Sequence, residues 1–314
     1  MLPLLRQSLL ILDGAFFAHR SFHSTLDAPL AVFIDQVLRT IAREQREFVV
    51  CAWDAPGPNY RHELFADYKS NRPEKDPALV DHICACRDAL EAMGVAVYDA
   101  PGFEGDDVVA TLARRWTREG GDVRIHTADK DILQLVDEQT CVVIQGKPYV
   151  HENVVEKYGI GPELIPAWLA LAGDSSDGIP GIPGIGGQTA SRLLATFGSM
   201  EAVLEGAPSS GDPRARRLVG REEDARLYER LTVLHEGAPV EADAVDMVCH
   251  VHPEILMPAR FADVATRYSY ALEPYRERAL TFDERFAIMR MNGSPEDEAR
   301  RSARSAAGRV LVER

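Results

Sequence analysis

The chain has 314 residues, enough for one large domain or two modest ones. Hydrophobic residues make up 46% of it, which excludes a wholly disordered protein. The 35 basic and 49 acidic residues give a net charge of −14, a balance that on its own argues against nucleic-acid binding. No apolar run approaches the roughly 18 residues of a membrane-spanning helix, and we interpret the apolar start of the chain as a strand, not a signal peptide.

The first half of the chain alternates between short apolar strands and helical stretches. The pattern predicts helices over residues 29–43, 76–93 and 108–116. It predicts strands over residues 9–12, 48–53, 95–98, 123–126 and 141–144. Strands that alternate with helices in this way indicate an α/β fold with a parallel sheet covered on both faces.

From about residue 154 the pattern changes to helices joined by turns rich in glycine and proline. We expect an α/β domain over residues 1–160, a helical domain over 161–290 and a mobile tail over 291–314. The five cysteines are odd in number and match no zinc-binding spacing, so we interpret them as reduced thiols of a cytoplasmic protein.

Acidic residues follow four of the predicted strands at the point where each strand ends. Ligands bind at the carboxyl ends of the strands in an open parallel sheet, so these acids are expected to share one edge. The acids are Asp13, Asp54, Glu104, Asp106, Asp107, Asp129 and Asp131. Each one alone also fits a turn or a helix N-cap. Together, crowded carboxylates need cations to neutralise them, and the absence of His and Cys from the set favours two Mg²⁺ or Mn²⁺ ions over zinc.

Two further acids, Asp174 and Asp177, precede the densest cluster of glycines and prolines in the chain. Taken alone they fit loop solvation or helix capping. The following stretch, IPGIPGIGGQTA, is typical of a helix–hairpin–helix turn whose glycines let backbone N–H groups approach a phosphate. Such a turn contacts the DNA backbone and not the bases. Its candidate DNA-binding residues are Gly181, Gly184, Gly186, Gly187, Gln188 and Thr189.

Five ordered motifs carry a family resemblance that covers roughly residues 9–204. They are DG at Asp13, YRHELFADYKSNRP from Tyr60, GFEGDDVVATLA from Gly102, TADKDILQLV from Thr127 and GDSSDGIPGIPGIG from Gly173. On these motifs the chain resembles the 5′-nucleases, which include the N-terminal domain of bacterial DNA polymerase I, phage 5′-exonucleases and flap endonucleases. The resemblance implies a PIN-like sheet with a helix–three-turn–helix (H3TH) subdomain. It also implies a stand-alone, monomeric 5′-3′ exonuclease and flap endonuclease that acts on DNA with a 5′ flap or a 5′ end.

The resemblance further implies roles for individual residues. Asp13, Asp54, Glu104 and Asp106 would surround one metal ion, and Asp107, Asp129, Asp131, Asp174 and Asp177 would serve the second. Lys69 and Arg72 would contact the scissile phosphate, Tyr68 would stack on a base, and Arg20 and His23 would lie near the active site. An arch is expected near residues 69–93, and Gly184 and Gly186 would allow K⁺ at the hairpin.

The sequence departs from the family at three places. The segment after His23 is short, Gln188 stands where a lysine is common, and Gly178 stands where asparagine is common. The missing lysine removes a candidate phosphate contact but leaves the acids intact.

Other functions stay open on the residues alone. One alternative is a structure-specific DNA-binding module with weak or no catalysis. Another is a PIN-type ribonuclease, which shares acids at strand ends, although the glycine hairpin and the DYKSNR motif argue against it. An aspartyl-nucleophile phosphatase is disfavoured because neither Asp13 nor Asp54 is followed by a second Asp two residues later. A topoisomerase-primase fold would account for Asp129 and Asp131, downstream of Glu104, but would leave the other acids unexplained.

Overall fold

A computed structural model describes residues 7–24, 29–242 and 247–248. The predicted helices beyond residue 248 and the predicted tail at 291–314 lie outside the described residues. Among the residues described, no helix is long and apolar enough to cross a membrane.

The core of the molecule is one sheet of six strands in the order β3-β2-β1-β4-β5-β6. All neighbours pair in parallel except β5 and β6, which are antiparallel. The strands are β1 (Ser8–Asp13), β2 (Phe48–Ala52), β3 (Ala96–Tyr98), β4 (Asp122–Thr127), β5 (Thr140–Ile144) and β6 (Lys147–Tyr149). The predicted α/β class and its five parallel strands are confirmed. The sixth strand escaped prediction because it has only three residues and follows the tight turn of Gln145 and Gly146, both at positive φ.

The strand order places the candidate site. The strands β2 and β3 lie on one side of β1, and β4 to β6 lie on the other. The order in which the chain adds strands therefore switches between the parallel neighbours β1 and β4, at the centre of the sheet. Crevices open at such a point outside the carboxyl ends of the strands. Asp13 ends β1 and Thr127 ends β4, so both lie at this crevice.

Ten helices are described, and they cover both faces of the sheet or pack beyond it. They are α1 (Gly14–Phe22), α2 (Pro29–Glu44), α3 (Tyr60–Leu64), α4 (Pro77–Met93), α5 (Gly105–Arg118), α6 (His151–Tyr158), α7 (Ile165–Ala172), α8 (Gly187–Phe197), α9 (Met200–Gly206) and α10 (Glu222–Thr232). Because successive strand residues face opposite sides, Leu10 and Leu12 join one core with α1, α2 and α4. Leu9 and Ile11 join the other core with α5 and the later helices.

The helix α4 falls inside the region where an arch was expected. Its buried face includes Ala85, Cys86, Ala89 and Leu90, which pack in the core on one side of the sheet. It therefore serves as a cover of the sheet, and only residues 69–76 remain as an exposed candidate for an arch.

The hairpin between α7 and α8 is anchored by isoleucines at every third position. Ile179, Ile182 and Ile185 are at most 3% exposed, whereas the intervening Pro183 and Gly184 face solvent. The predicted helix–hairpin–helix is therefore held by apolar contacts that leave its turn on the surface.

Candidate active site

Asp13 is held at the end of β1 by two hydrogen bonds. The backbone N–H of Phe16 donates to Oδ1 at 3.0 Å, so Asp13 also caps α1. The Thr127 hydroxyl donates to Oδ2 at 2.6 Å, across the β1–β4 crevice. Thr127 is fully buried and also accepts from the Asp129 N–H at 2.9 Å. Sequence reasoning missed Thr127, because nothing in the motif separates it from an ordinary strand threonine.

The ionised form is disfavoured at three carboxyl groups of this edge, Asp13, Asp106 and Asp131. Burial, with a smaller contribution from the charges of Asp54 and Asp129, outweighs the two hydrogen bonds and raises the pKa of Asp13 to about 6. Burial and then repulsion from Asp129 and Asp13 hold the pKa of Asp106 well above its usual range. Burial and Asp129 do the same to the pKa of Asp131. Clustered carboxylates of this kind call for a cation.

Asp131 also has a buried oxygen with no donor. Within the described chain, no hydrogen-bond partner reaches its Oδ1, and the nearest cation, Lys130 Nζ, lies 3.8 Å away. A buried anionic oxygen without a donor is costly, so this atom is suited to a bound cation.

Glu104 and Asp177 are brought together by the residues of the YKSNR motif. Lys69 Nζ donates to Glu104 at 2.5 Å and lies 3.8 Å from Asp177. The Tyr68 hydroxyl lies between the two carboxylates, 2.9 Å from an oxygen of Glu104 and 3.0 Å from one of Asp177, so its single proton is shared between them. Burial tends to raise the pKa of Glu104, but the charges of Lys69 and Arg61 outweigh it and the pKa is lowered. Burial prevails at Asp177, whose pKa is raised.

The expected stacking of Tyr68 on a base does not fit its position. Its side chain is 2% exposed and packs against Ile179 and Leu231. The ring is a buried support beneath Glu104 and Asp177, and it has no open face for a base.

Asp174 is held by Lys130 and by its own loop. Lys130 Nζ donates to Oδ2 at 2.6 Å, and the Ser176 N–H and hydroxyl donate to Oδ1 at 2.9 and 2.5 Å. Burial opposes ionisation, but these hydrogen bonds lower the pKa of Asp174. Lys130 is thus a counter-charge inside the TADKD motif, between the two acids that were the motif's candidate ligands.

The segment that starts at Lys69 is clamped to the GDSSDG loop. The Lys69 N–H donates to the Asp177 carbonyl at 2.9 Å, and Arg72 donates to the Ser176 carbonyl and the Asp177 carboxylate. Gly178 has a φ of +70°, and a Cβ there would meet the Asp67 carbonyl at 3.1 Å. Glycine therefore fits where the two loops meet, and Lys69 itself is held at a φ of 54°, a strained value for a residue with a side chain.

Asp107 is fully buried and is committed to Arg61. The two guanidinium nitrogens of Arg61 donate to its two carboxylate oxygens at 2.6 and 2.8 Å, and both side chains are at most 1% exposed. The N–H groups of Glu104 and His235 also donate to Asp107, at 3.1 and 2.8 Å. Its oxygens are filled by this network, in contrast to the predicted role as a metal ligand. The pairing of Arg61 with Asp107 could not be predicted from the sequence, because the two residues are 46 positions apart.

Asp54 and Asp129 complete the set at the crevice. Asp54 accepts from the Gly105 N–H at 2.8 Å, and Asp129 accepts from the Asp131 N–H at 2.8 Å. Each carboxylate is thereby oriented by backbone.

Three basic residues, His19, Arg20 and His23, lie on α1 and its C-cap. His19 was not among the predicted site residues. Burial lowers the pKa of His19, and the positive charges of Lys75, His23 and Arg72 lower it further. Arg20 lies over the Phe16 ring at 5.9 Å. The charges of Lys75 and Arg72 therefore act on α1 across the space between it and the segment that follows Lys69.

The donor chemistry of this edge fits a hard divalent cation. All candidate ligands supply carboxylate oxygens, which Mg²⁺ and Mn²⁺ prefer, and Asp131 offers an oxygen without a donor. In the part of the chain that the structure describes, no three His, Cys, Asp or Glu side chains converge as a ready metal-binding group. Lys69 and Lys130 instead neutralise Glu104 and Asp174.

The predicted DNA-binding glycines lie at the hairpin and the start of α8. Gly181 and Gly184 have positive φ, as a tight turn requires. Gly186 is the N-cap of α8, and no side chain caps this helix end. Gln188 is exposed in the first turn, whereas Thr189 is buried. Beside this turn, a shallow cavity of about 450 Å³ is lined by residues that include Asn71, Ser175, Gly178 and Pro180.

Two family models match consecutive parts of the chain. Residues 8–159 match the 5′-3′ exonuclease N-terminal resolvase-like domain, and residues 160–253 match the 5′-3′ exonuclease C-terminal SAM fold. Among solved structures, the fold is similar to that of a bacteriophage T5 flap endonuclease in complex with DNA and metal ions. That similarity has a TM-score of 0.65 and 19% identity, and covers 85% of this chain and 98% of the other.

Curated relatives have higher identity. A 5′-3′ exonuclease of Aquifex aeolicus is 33% identical over 256 residues, which cover 77% of this chain and 86% of the relative. DNA polymerase I of Bacillus caldotenax is 33% identical over 262 residues, 77% of this chain but only 30% of the polymerase. With both domain models matched and this identity to a 5′-3′ exonuclease of similar extent, the chain belongs to the 5′-3′ exonuclease family of nucleases.

Proposed function

We propose that the protein hydrolyses DNA phosphodiester bonds at 5′ ends and near the single-strand/duplex junction of 5′ flaps, with two divalent ions. The observation that carries this proposal is the crevice between β1 and β4. Asp13 and Asp106 there, and Asp131 on the far side of Asp129, have raised pKa values because each is buried and near the charge of Asp129. A site that concentrates negative charge in this way suits catalysis that depends on cations.

The residues are assigned by their surroundings. Asp13, Asp54, Glu104 and Asp106 would hold one ion, and Asp129, Asp131, Asp174 and Asp177 the other; Mg²⁺ is the expected metal and Mn²⁺ a substitute. Two such ions activate water and stabilise the charge that develops on the phosphate and the leaving oxygen. We leave Asp107 out of this set because Arg61 fills its carboxylate.

The basic residues bind and orient the phosphate. Lys69 and Arg72 contact Asp177 from the neighbouring segment, so a phosphate bound at the metal ions would come within their reach. Arg20, His23 and His19 at α1 would meet the DNA strand on the other side of residues 69–76. Tyr68 acts indirectly, because it holds Glu104 and Asp177 in place.

Support for DNA as the substrate comes from the hairpin and from the T5 relative. The exposed turn at Pro183 and Gly184 is held on a rigid apolar base, as a backbone-binding surface needs. The T5 flap endonuclease, which has the same fold, is a DNA complex with metal ions.

Further expectations belong to this proposal. We propose that the α/β and helical domains divide near residue 160, and that the protein acts as a monomer in the cytoplasm. The four described cysteines are free thiols, which agrees with a reducing compartment. K⁺ at the hairpin would be repelled by the Arg217 guanidinium, which donates to the Pro183 carbonyl.

The test is cleavage of a 5′-labelled DNA flap by the full chain, with Mg²⁺ and with EDTA. We expect product that maps to the junction with Mg²⁺ alone, and loss of at least about 100-fold in the Asp13→Asn variant, in line with the worth of charge stabilisation in a transition state. The Asp35→Asn variant, altered on the exposed side of α2, is the matched control and keeps wild-type cleavage.

Junction binding without Mg²⁺-dependent cleavage would overturn the proposal and favour a DNA-binding module. That alternative draws support from the pairing of Glu104 and Asp174 with lysines. Faster cleavage of an all-RNA flap than of the DNA flap would favour the ribonuclease.

A further inference from the structure

A positively charged side chain from another part of the chain contacts the hairpin between α7 and α8. Gln188, in the first turn of α8, is uncharged. Arg217, which lies 34 residues beyond Pro183, donates from Nη1 to the Pro183 carbonyl at 3.2 Å. Its guanidinium covers Gly184, where a Cβ would collide with it. The hairpin turn thus carries a positive charge at its exposed tip.

Arg217 is held there by a firm local scaffold. It belongs to the short 3₁₀ turn Ala215–Leu218, whose first and last residues are both fully buried. The preceding loop is tied to α8, because Arg192 donates to Asp212 at 2.6 Å. With both ends anchored, the exposed side chains of the turn have a fixed direction.

The charge of this surface is available to a ligand. Among the described residues, no carboxylate forms an ion pair with Arg214, Arg216 or Arg217, whereas Arg192, Arg221 and Arg226 are paired. Arg214, Arg216 and Arg217 lie within four consecutive residues, so positive charge is concentrated at this turn of a chain with a net charge of −14. An anion that approaches the hairpin meets unneutralised guanidinium groups there.

We propose that Arg217 binds a backbone phosphate of the duplex arm at the hairpin, and that it supplies the positive charge that Gln188 cannot offer to that phosphate. The proposal rests on DNA binding by the hairpin, which is part of the proposed function. An arginine suits the task because one N–H can stay on the Pro183 carbonyl while the others reach the phosphate oxygens. Such a contact adds affinity without sequence preference.

The experiment measures duplex affinity in EDTA by fluorescence anisotropy over a series of NaCl concentrations. Removal of one phosphate contact lowers the slope of log K against log salt by about 0.9. We expect this decrease in Arg217→Ala, with affinity about tenfold weaker at the lowest salt. Arg226→Ala removes the same charge from α10, where Glu201 and Glu223 already neutralise it, and is the matched control, with wild-type slope.

Rescue separates a direct contact from damage to the fold. Adding Gln188→Lys to Arg217→Ala should restore both the slope and the affinity, which a misfolded hairpin would not allow. A wild-type slope in Arg217→Ala, an equal loss in Arg226→Ala, or failure of the rescue would overturn the inference. Because the titration needs no Mg²⁺ and no cleavage, its result stands apart from that of the nuclease test.

Discussion

Asp106 and Asp107 show how adjacent residues of one type acquire opposite roles. Neighbouring positions of a helix point about 100° apart, so in α5 one carboxylate faces the crevice and the other the interior. Asp106 is surrounded by carboxylates that raise its pKa, whereas Asp107 is neutralised by Arg61. The first is suited to bind a cation and the second to hold the structure together.

Substitution by asparagine should separate the two roles. In EDTA, we expect Asp106→Asn to keep or raise the free energy of unfolding, because it removes a repelled charge. Asp107→Asn should lower it by about 3–5 kcal/mol, the cost of breaking a buried ion pair. Urea unfolding measures both, and single-turnover cleavage should be lost in Asp106→Asn. An equal loss of stability in the two variants would contradict these assignments.

Lys130 provides a second test at the same scale. It is the cation nearest to Asp131 and Asp174, so Lys130→Met leaves these charges without compensation. We expect the melting temperature in EDTA to fall by about 2–4 °C, as a loss of 1 kcal/mol does in a protein of this size.

Added Mg²⁺ should raise the melting temperature of Lys130→Met by more than it raises that of the wild type. Lys147→Met, altered at an exposed position of β6, is the control and should follow the wild type. If Mg²⁺ stabilised both variants equally, Lys130 would not compete with a cation.

Sequence patterns located the acids better than their partners. Asp13, Asp54 and Asp129 follow predicted strands, and parallel strands bring their ends to one edge. Arg61 and Lys130 went unnoticed, because a charged residue in a polar motif is usually solvated and only tertiary contacts show otherwise. Tyr68 was misassigned for the same reason, since burial depends on Ile179 and Leu231, far away in sequence.

At the scale of elements, periodicity predicted what lies against the sheet. Residues 76–93 have the apolar spacing of a packed helix, and α4 occupies nearly that range. Its role as an arch was expected from the resemblance, not from the pattern, and the core contacts of Ala89 and Leu90 favour the pattern. The helices α1 and α3 were not predicted, because nine and five residues give little periodic signal.

The contact between α1 and α4 should make stability depend on pH. His82 Nε2 lies 2.8 Å from the Ser21 hydroxyl, and burial lowers the pKa of His82 to about 4. The unfolded chain takes up this proton near pH 6.5, so stability present above that pH is lost as the pH falls towards 4. The loss amounts to about 3 kcal/mol at pH 4.

The measurement compares urea unfolding of wild type and His82→Leu between pH 4 and pH 7 in EDTA. The difference between the two is informative because other groups also titrate: the pKa of His126 is likewise lowered to about 4, and that of Asp13 is raised to about 6 and acts in the opposite direction. We expect the variant to lose less stability than the wild type on acidification. Parallel pH profiles would show that His82 does not contribute.

At the scale of the whole molecule, the sheet and the later helices share one core. The main cluster runs from Leu9 in β1 to Leu194 in α8 and Met247 near the end of the described chain. Arg61 adds polar contacts across it, since it pairs with Asp107 and donates to the carbonyls of Leu231 and Val233. The segment after α10 continues along α5, where Arg115 donates to two of its carbonyls. The crevice and the hairpin are therefore parts of one packed body.

A shared core predicts that the two regions unfold together. Trp53 lies in the core on one face of the sheet, and Trp168 lies in α7 and donates to the Gly187 carbonyl. Single-tryptophan variants that keep one or the other should give coincident urea transitions, because neither region can lose its packing alone.

The same pair of probes tests the role of Arg61. In the Arg61→Met variant, Asp107 keeps a buried charge without its partner, and both transitions should move to lower urea by the same amount, since the ion pair belongs to both regions. A shift of the Trp168 transition alone would show that the helical region is a separate unit docked onto the sheet. In that case the distance between the carboxylates of the crevice and the hairpin would no longer be fixed by the core, and the length of duplex that the proposed function places between them would vary from one molecule to the next.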